Sequence, residues 1–449
     1  MTSTISLNEL KYPVIGDPST WASTNANTVV GYLLEKMLPG LTDEIRRDSF
    51  LFQMFAEDKA QQWKGGVARF HVNFRRDNSM HVTRDAGPIR RGNHPKPVRG
   101  QVTEKFFVAE MELTDGALAS VGGGDMTEII DTLQFLLEGQ RDDFKENLSR
   151  EMYLDGTGVL FTTLDASPVT DGVDMTEANG SAQYVYEDME VEVWNAARTV
   201  QRGTFFVTDV EPSTGTISLT DTQGGTPGNN VPTLTNGDVV CRIGTQDGTA
   251  GFGNLLGLAV HVDDGTNATV HESIDRDTYN EWKSLVVDGT GALTSRNLHK
   301  LFRGVKVASR HMPKMGLMND WMFVEYAELF QPTVQSSPGG AAMLGFENAV
   351  FKSGDATFQF KVDDAAPFDT IWALNPDTFK FLMKKSLGPR AQHLDTSASA
   401  MGGAQFQAAR DQLVYAGTLL MIGELICTAC RRNGKLENVT TDPEVRSLV

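Results

Sequence analysis

Residues 122–158 read GGGDMTEIIDTLQFLLEGQRDDFKENLSREMYLDGTG, and the fold is read outward from them. Three glycines make a hinge. Asp125 then caps a helix and Glu128 reaches back toward it, a variant of the capping box. Apolar residues recur at Met126, Ile130, Leu133, Leu137, Phe144, Leu148 and Met152, the spacing of one helical face. The opposite face carries Asp131, Glu138, Arg141, Asp142, Lys145 and Glu146. The pattern stops near Leu154, and Gly156 can supply a left-handed cap. The spacing predicts one helix over Asp125–Leu154, of ~28 residues and ~42 Å, where ~11 residues is usual. A helix of that length is a strut.

Upstream, residues 1–25 are polar, contain Pro13 and Pro18, and read as an extended arm. Helices are expected at Thr28–Leu38 and at Thr42–Ala56, the second opening on a Thr-Asp-Glu cap. From Gly65 the period changes to two. Phe70, Val72 and Phe74 alternate with Arg69, His71 and Asn73, and Gln101–Leu113 reads as the return strand. The whole of Gly65–Leu113 is thus a long β-hairpin, with arms of ~20 residues reaching up to ~65 Å. Such a ribbon is marginal alone in water, so it needs a surface to lie on, and apolar residues such as Phe70, Val72, Phe74, Phe106 and Phe107 are expected to be buried between chains. Its tip is basic: Arg75, Arg76, Arg84, Arg90, Arg91, Lys96 and Arg99 stand against Asp77 and Asp85.

Downstream, residues 184–245 hold short strands separated by Gly-, Pro- and Asn-rich turns, which suggests a small inserted barrel or sandwich. Trp194, Phe205 and Phe206 read as its core. From Leu255 the chain is mixed. Helices are expected at Arg276–Leu285, Ser295–Ser309, Trp321–Leu329 and Asp377–Lys384, strands in 345–375 and 411–430, and loops in 391–405 and after Asn433.

A formal net charge of −18 argues against sequence-independent nucleic-acid binding over the whole surface, which depends on neutralising phosphates with Lys and Arg. An acidic wall can still enclose DNA without gluing it in place. The three cysteines, Cys241, Cys427 and Cys430, cannot build a disulfide framework. With no apolar run near ~20 residues and no signal-like N-terminus, the expected setting is a reducing cytoplasm, with no membrane association.

The order of arm, long hairpin, glycine hinge, long helix ending in Asp155-Gly156-Thr157-Gly158 and mixed remainder resembles the major capsid proteins of tailed bacteriophages. The resemblance implies an α+β, Hong Kong 97-like capsid fold: arm and entry helices in 1–60, an E-loop hairpin in 61–118 and the spine helix of the P domain in 119–157. It also implies an A domain in 158–334 carrying the β-rich insertion 184–245, and returning P-domain strands with a C-terminal A/P segment in 335–449. The implied function is an icosahedral shell around double-stranded DNA, assembled in the host bacterial cytoplasm from hexamers and pentamers of this chain. A portal and an optional decoration protein are implied as partners. Because Met1 leads directly into the arm, a separate scaffolding protein is expected. The basic tip is expected to dock on an acidic neighbouring surface, with Asp131, Glu138, Asp142 and Glu146 of the spine helix as the preferred partner.

Catalytic motifs fail one by one. GTQDGTAGFGNLLG (244–257) lacks the Lys-Ser or Lys-Thr of a phosphate loop, and His271-Glu272 is followed by Asp275 where a zincin needs histidine. Cys427-Thr428-Ala429-Cys430 has no second cysteine pair to complete a zinc site, so two ordinary core thiols are expected. Asp-Gly-Thr at Asp155, Asp247, Asp264 and Asp288 reads as turns. Neither catalytic residues, cofactor nor metal is expected. The rivals are an encapsulin-like compartment shell, a β-rich binding module exposing aromatics in 184–245, and a hydrolase.

Overall fold

Ser295–Ser309 folds as its spacing predicts. Leu298, Leu301, Phe302 and Val305 are buried, the Thr294 side chain caps the first turn by accepting from the Asn297 amide, and Arg310 ends the helix in a left-handed conformation. The computed structural model describes residues 51, 54–59, 63–74, 82, 84, 85, 87, 97–114, 144, 146–163, 172–176, 182–211, 214–246, 254–334, 350–353, 356–389, 406–408 and 414–440. The expected arm, the helix Thr28–Leu38, most of Thr42–Ala56, the first two-thirds of Asp125–Leu154 and the loop 391–405 lie outside them. Two compact units are present. One comprises Met1–Arg46, Phe106–Lys145 and Lys385–Ile422; the other comprises Arg47–Lys105, Glu146–Lys384 and Gly423–Val449.

In the first unit, Phe406–Ala408 pairs antiparallel with Tyr415–Gly417, and the strand Lys105–Thr114 pairs with Val414–Cys427. The second unit contains two six-stranded sheets. Its β-rich block is one sheet in the order 159–162, 239–242, 190–194, 201–211, 216–220, 175–176, and all of its neighbouring strands are antiparallel. The expected barrel or sandwich is therefore a single sheet that recruits strands upstream of 184. Val191, Val193, Phe205, Val207, Ile217, Leu219 and Val240 alternate into its core. Of the three aromatics read as its core, Phe205 is buried in it, Trp194 is buried in a separate small cluster with Val239 and Cys241, and Phe206 is only half-buried.

The other sheet runs 285–291, 434–439, 371–374, 315–318, 356–362, 350–353. Helix Ser295–Ser309 and helix Asp320–Val334 supply apolar faces to its core, where Leu301, Phe302, Met322 and Tyr326 meet Phe358, Phe360, Ile371 and Leu436. Gly304 permits the first helix to approach: a Cβ there would stand 2.4 Å from Leu285 Cδ2.

Three expectations in this region are overturned. Arg276–Leu285 is not an α-helix. It holds only a 3-10 turn at Asn280–Trp282 before a strand begins at Leu285, because Asp275 accepts from the Asp277 amide and the Thr278 hydroxyl and so competes with helical bonding. Asp377–Lys384 is a 3-10 turn followed by the strand Phe379–Pro389; Phe379, Phe381, Leu382 and Met383 are all buried, so both faces are covered. The segment after Asn433 is the strand Gly434–Val439, parallel to 285–291 and antiparallel to 371–374. Its charged Lys435 is buried but paired with Glu437 at 2.8 Å.

Candidate functional site

Among the described residues the paired hairpin is shorter than its pattern suggests. Val67–Asn73 pairs with Pro97–Thr103, arms of 7 residues each. The return segment breaks at Glu104, and Lys105–Thr114 leaves for another sheet. Ala68 and Val102 on the inner face are buried against Leu382 and Ile426, with Phe70 and Trp63 beside them. Phe70 lies across its cross-strand partner Gly100, where a Cβ would be 2.5 Å from the ring. Phe74 stacks on Tyr279 at 4.9 Å and meets Trp282 edge-on at 5.6 Å. The Gln101 amide donates to the Glu272 carbonyl at 2.9 Å. Phe70 and Phe74, expected between chains, thus pack within their own unit. The hairpin base needs a surface, and the chain provides it.

The outer face presents Arg69, His71, Asn73, Arg99, Gln101 and Thr103, all exposed. Of the predicted docking residues, Arg84 and Arg99 are exposed. Glu146 is exposed and ion-paired with Arg150 one turn along the same helix. Arg75, Arg76, Arg90, Arg91, Lys96, Asp131, Glu138 and Asp142 lie outside the described residues. On the strand that follows the hairpin, Phe106 and Val108 are 58% and 60% exposed, whereas Phe107 meets Phe144 edge-on at 6.4 Å.

Beneath the hairpin base is a buried polar cluster that motif reading missed. His261 ends the short helix Leu258–His261. His271 and Glu272 sit at the turn of the small hairpin formed by Val270–His271 and Ile274–Asp275. His271 Nε2 faces His261 Nδ1 at 2.8 Å, and the Trp282 indole donates to His271 Nδ1 at 3.1 Å. Glu272 Oε1 accepts from the Cys427 amide at 2.9 Å, and Cys430 Sγ lies 3.9 Å from His271 Nδ1. Burial, with the Arg276 charge nearby, takes the His261 imidazole down to about 3. Burial and the neighbouring His261 depress His271 further, and burial raises the Glu272 carboxyl well above its ordinary range. Arg276 is fully buried; it bonds Asp263 at 3.3 Å and the carbonyls of Val260 and Ala268 at 2.6 and 2.9 Å.

The end of the glycine-rich segment, residues 254–257, has a packing role. Leu258 and Ala259 amides donate to the Met152 and Tyr153 carbonyls, just past the helix end at Glu151, at 2.7 and 3.2 Å. Gly257 permits this, since a Cβ there would fall 2.3 Å from the Leu154 oxygen. Two buried carboxyls brace the same segment: Glu151 accepts from Asn254 Nδ2 at 2.8 Å and Glu424 from the Leu256 amide at 3.0 Å. The Asp-Gly-Thr repeats at Asp155 and Asp264 are turns in which the aspartate accepts the threonine amide; the one at Asp288 lies instead within the strand 285–291, at an irregularity in its register, and the one at Asp247 lies outside the described residues.

No protein-family model matches the chain, and no curated protein matches it. Solved structures do. The capsid asymmetric unit of cyanophage A-1(L) aligns with a TM-score of 0.51 at 10% identity, over 88% of this chain and 93% of that one. The procapsid of satellite phage P4, which includes its size determination protein, aligns with a TM-score of 0.41 at 7% identity, over 97% and 95%. The SrpI encapsulin complex of Synechococcus elongatus PCC 7942 aligns with a TM-score of 0.39 at 9% identity, over 87% and 88%. The cyanophage likeness establishes the fold: α+β, of the kind found in a phage capsid chain.

Proposed function

We propose that this chain is the major capsid protein of a tailed bacteriophage and self-assembles into the icosahedral shell that encloses the DNA genome. The observation that carries the proposal is the cyanophage capsid likeness, which spans nearly the whole of both chains rather than one shared domain. In this reading the hairpin is the E-loop, the helix ending at residue 151 is the spine, and the β-rich block belongs to the A domain. Subunits meet through different patches around a ring, as heterologous contacts require. Exposed Phe106 and Val108 supply apolar area to such contacts; at ~25 cal/mol per Å², a few hundred Å² contributes several kcal/mol before association costs. The basic segment 75–99 docks on the acidic face of a neighbour's spine helix. Hexamers and pentamers, a scaffolding protein and a portal complete the assembly, and the shell closes in the host cytoplasm.

Sedimentation of the purified chain under assembly conditions tests this. Large, homogeneous particles support it, and a species that stays at the 49.1 kDa of one chain at every concentration refutes it. Particle diameter separates a phage head from the smaller shell of a protein compartment.

A further inference from the structure

Two histidines ten positions apart and a glutamate beside the second come together in the interior, under the seat of the hairpin. We propose that His261, His271 and Glu272 hold a structural zinc ion. His261 Nδ1, His271 Nε2 and Glu272 Oε1 are separated by 2.8, 3.7 and 3.9 Å. Three atoms so spaced lie on a circle of radius about 2 Å, the length of a zinc–imidazole or zinc–carboxylate bond. None of the three side chains reaches solvent. A fourth donor is available: Glu272 Oε2 is buried without a hydrogen-bond partner, and a bidentate carboxylate would use it. Two imidazoles and one carboxylate select zinc over calcium or magnesium, which prefer oxygen donors throughout.

The turn that carries the ligands supports the assignment. Glu272 and Ser273 adopt φ of 51° and 63°, a left-handed pair that Asn-Gly would occupy more easily. That turn places the Glu272 carboxyl inside while its carbonyl holds the Gln101 amide of the hairpin. Metal binding rearranges protons simply. Glu272 releases one proton, and the His271 proton moves from Nε2 to Nδ1, where Cys430 Sγ at 3.9 Å can accept it. The Trp282 indole then gives up its bond to Nδ1. One neutral hydrogen bond is small beside three metal–ligand bonds. His261 keeps its proton on Nε2, which has no geometric hydrogen-bond partner but lies in a ring flanked by the Leu256 and Leu425 backbone. The zinc would tie the Leu258–His261 helix to the 270–275 hairpin and, through the Cys427 amide on Glu272, to the strand Val414–Cys427.

The test uses the full chain without an affinity tag, expressed in zinc-supplemented medium and dialysed against zinc-free buffer. Elemental analysis should find about one zinc per chain, falling below about a tenth in Glu272→Gln and His271→Ala, as loss of a first ligand requires. Cobalt(II) grown into the site should give the visible absorption of a low-coordinate nitrogen–oxygen centre. A strong chelator should lower the melting temperature of the unmodified chain and leave Glu272→Gln unmoved. If a variant fails to fold, the metal ratio and cobalt spectrum of the unmodified chain still decide. A metal-free unmodified chain, or zinc retained equally by both folded variants, overturns the proposal. None of these readouts depends on shell formation, so the zinc site and the capsid reading fail separately.

Discussion

Gly257→Ala places a methyl group where three backbone oxygens already stand: 2.3 Å from Leu154 O, 2.6 Å from Glu151 O and 2.7 Å from Met152 O. Gly257 has φ −88°, which any residue can adopt, so the cost is steric rather than conformational. Backbone atoms cannot swing aside as a side chain can. The segment must retreat, and overpacking of this kind costs about 1–3 kcal/mol. Retreat also stretches the bonds from Leu258 and Ala259 to the helix end, each worth about 1 kcal/mol. A total near 3 kcal/mol corresponds to roughly a hundredfold at 1.4 kcal/mol per decade. Native-state hydrogen exchange reads this locally: amides in 254–262 should exchange roughly a hundredfold faster through subglobal opening. Gly224→Ala is the control. Gly224 has φ +69° and open space around it, so the substitution should cost only ~1 kcal/mol of left-handed strain and leave those amides unchanged. A less than threefold change at Leu258 and Ala259 in Gly257→Ala would refute the packing argument.

Arg276→Met removes the cation from the buried Asp263 carboxylate and should destabilise the folded chain by about 3–5 kcal/mol, visible as a drop in denaturant midpoint; an unchanged midpoint contradicts the assignment. Burial raises Glu424 to about 8 and Glu151 to about 7 from 4.5, so the folded state holds protons that the unfolded state has released. Stability must then fall as pH rises from about 4.5 to 8 and level off above. Depressed His261 acts in the opposite sense below 6.5, so midpoints of chelator-treated protein at pH 6.5 and 8.5 isolate the effect, and Glu424→Gln should shrink it. Charge reversal of Arg75, Arg76, Arg90 and Arg91 should slow assembly most at low salt, since the Debye length is only ~8 Å at ~0.15 M; light scattering that matches the unmodified chain at low salt would show a solvated tip.

The sequence made local order legible where one period dominated. Ser295–Ser309 and Trp321–Leu329, the latter within the longer helix Asp320–Val334, were readable as helical stretches, and the β-rich block because its strands alternate between turns. Phe379–Met383 was not, since a strand buried on both faces has no alternation and a short apolar run fits either state. Gly434–Val439 was hidden by Lys435 and Glu437, whose charges pair with each other inside the fold. The basic tip and the acidic helix face were visible as composition, but the contact proposed between them would form between chains and leaves no mark within one. Of the His–Glu cluster only His271-Glu272 was visible in the sequence, as an incomplete zincin motif. Its parts come from a helix end at 261, a turn at 271–272, Trp282 and a strand end at 427–430, and only tertiary packing brings Glu272 onto the Cys427 amide.

Electron cryo-microscopy of the assembled chain tests the central claim most directly. The account predicts closed icosahedral shells in which every position in the asymmetric unit is this chain, with the Val67–Asn73/Pro97–Thr103 hairpin seated on its own subunit and its tip reaching the next. Particles of other architecture, or a chain that remains monomeric with and without its scaffolding partner, would contradict it.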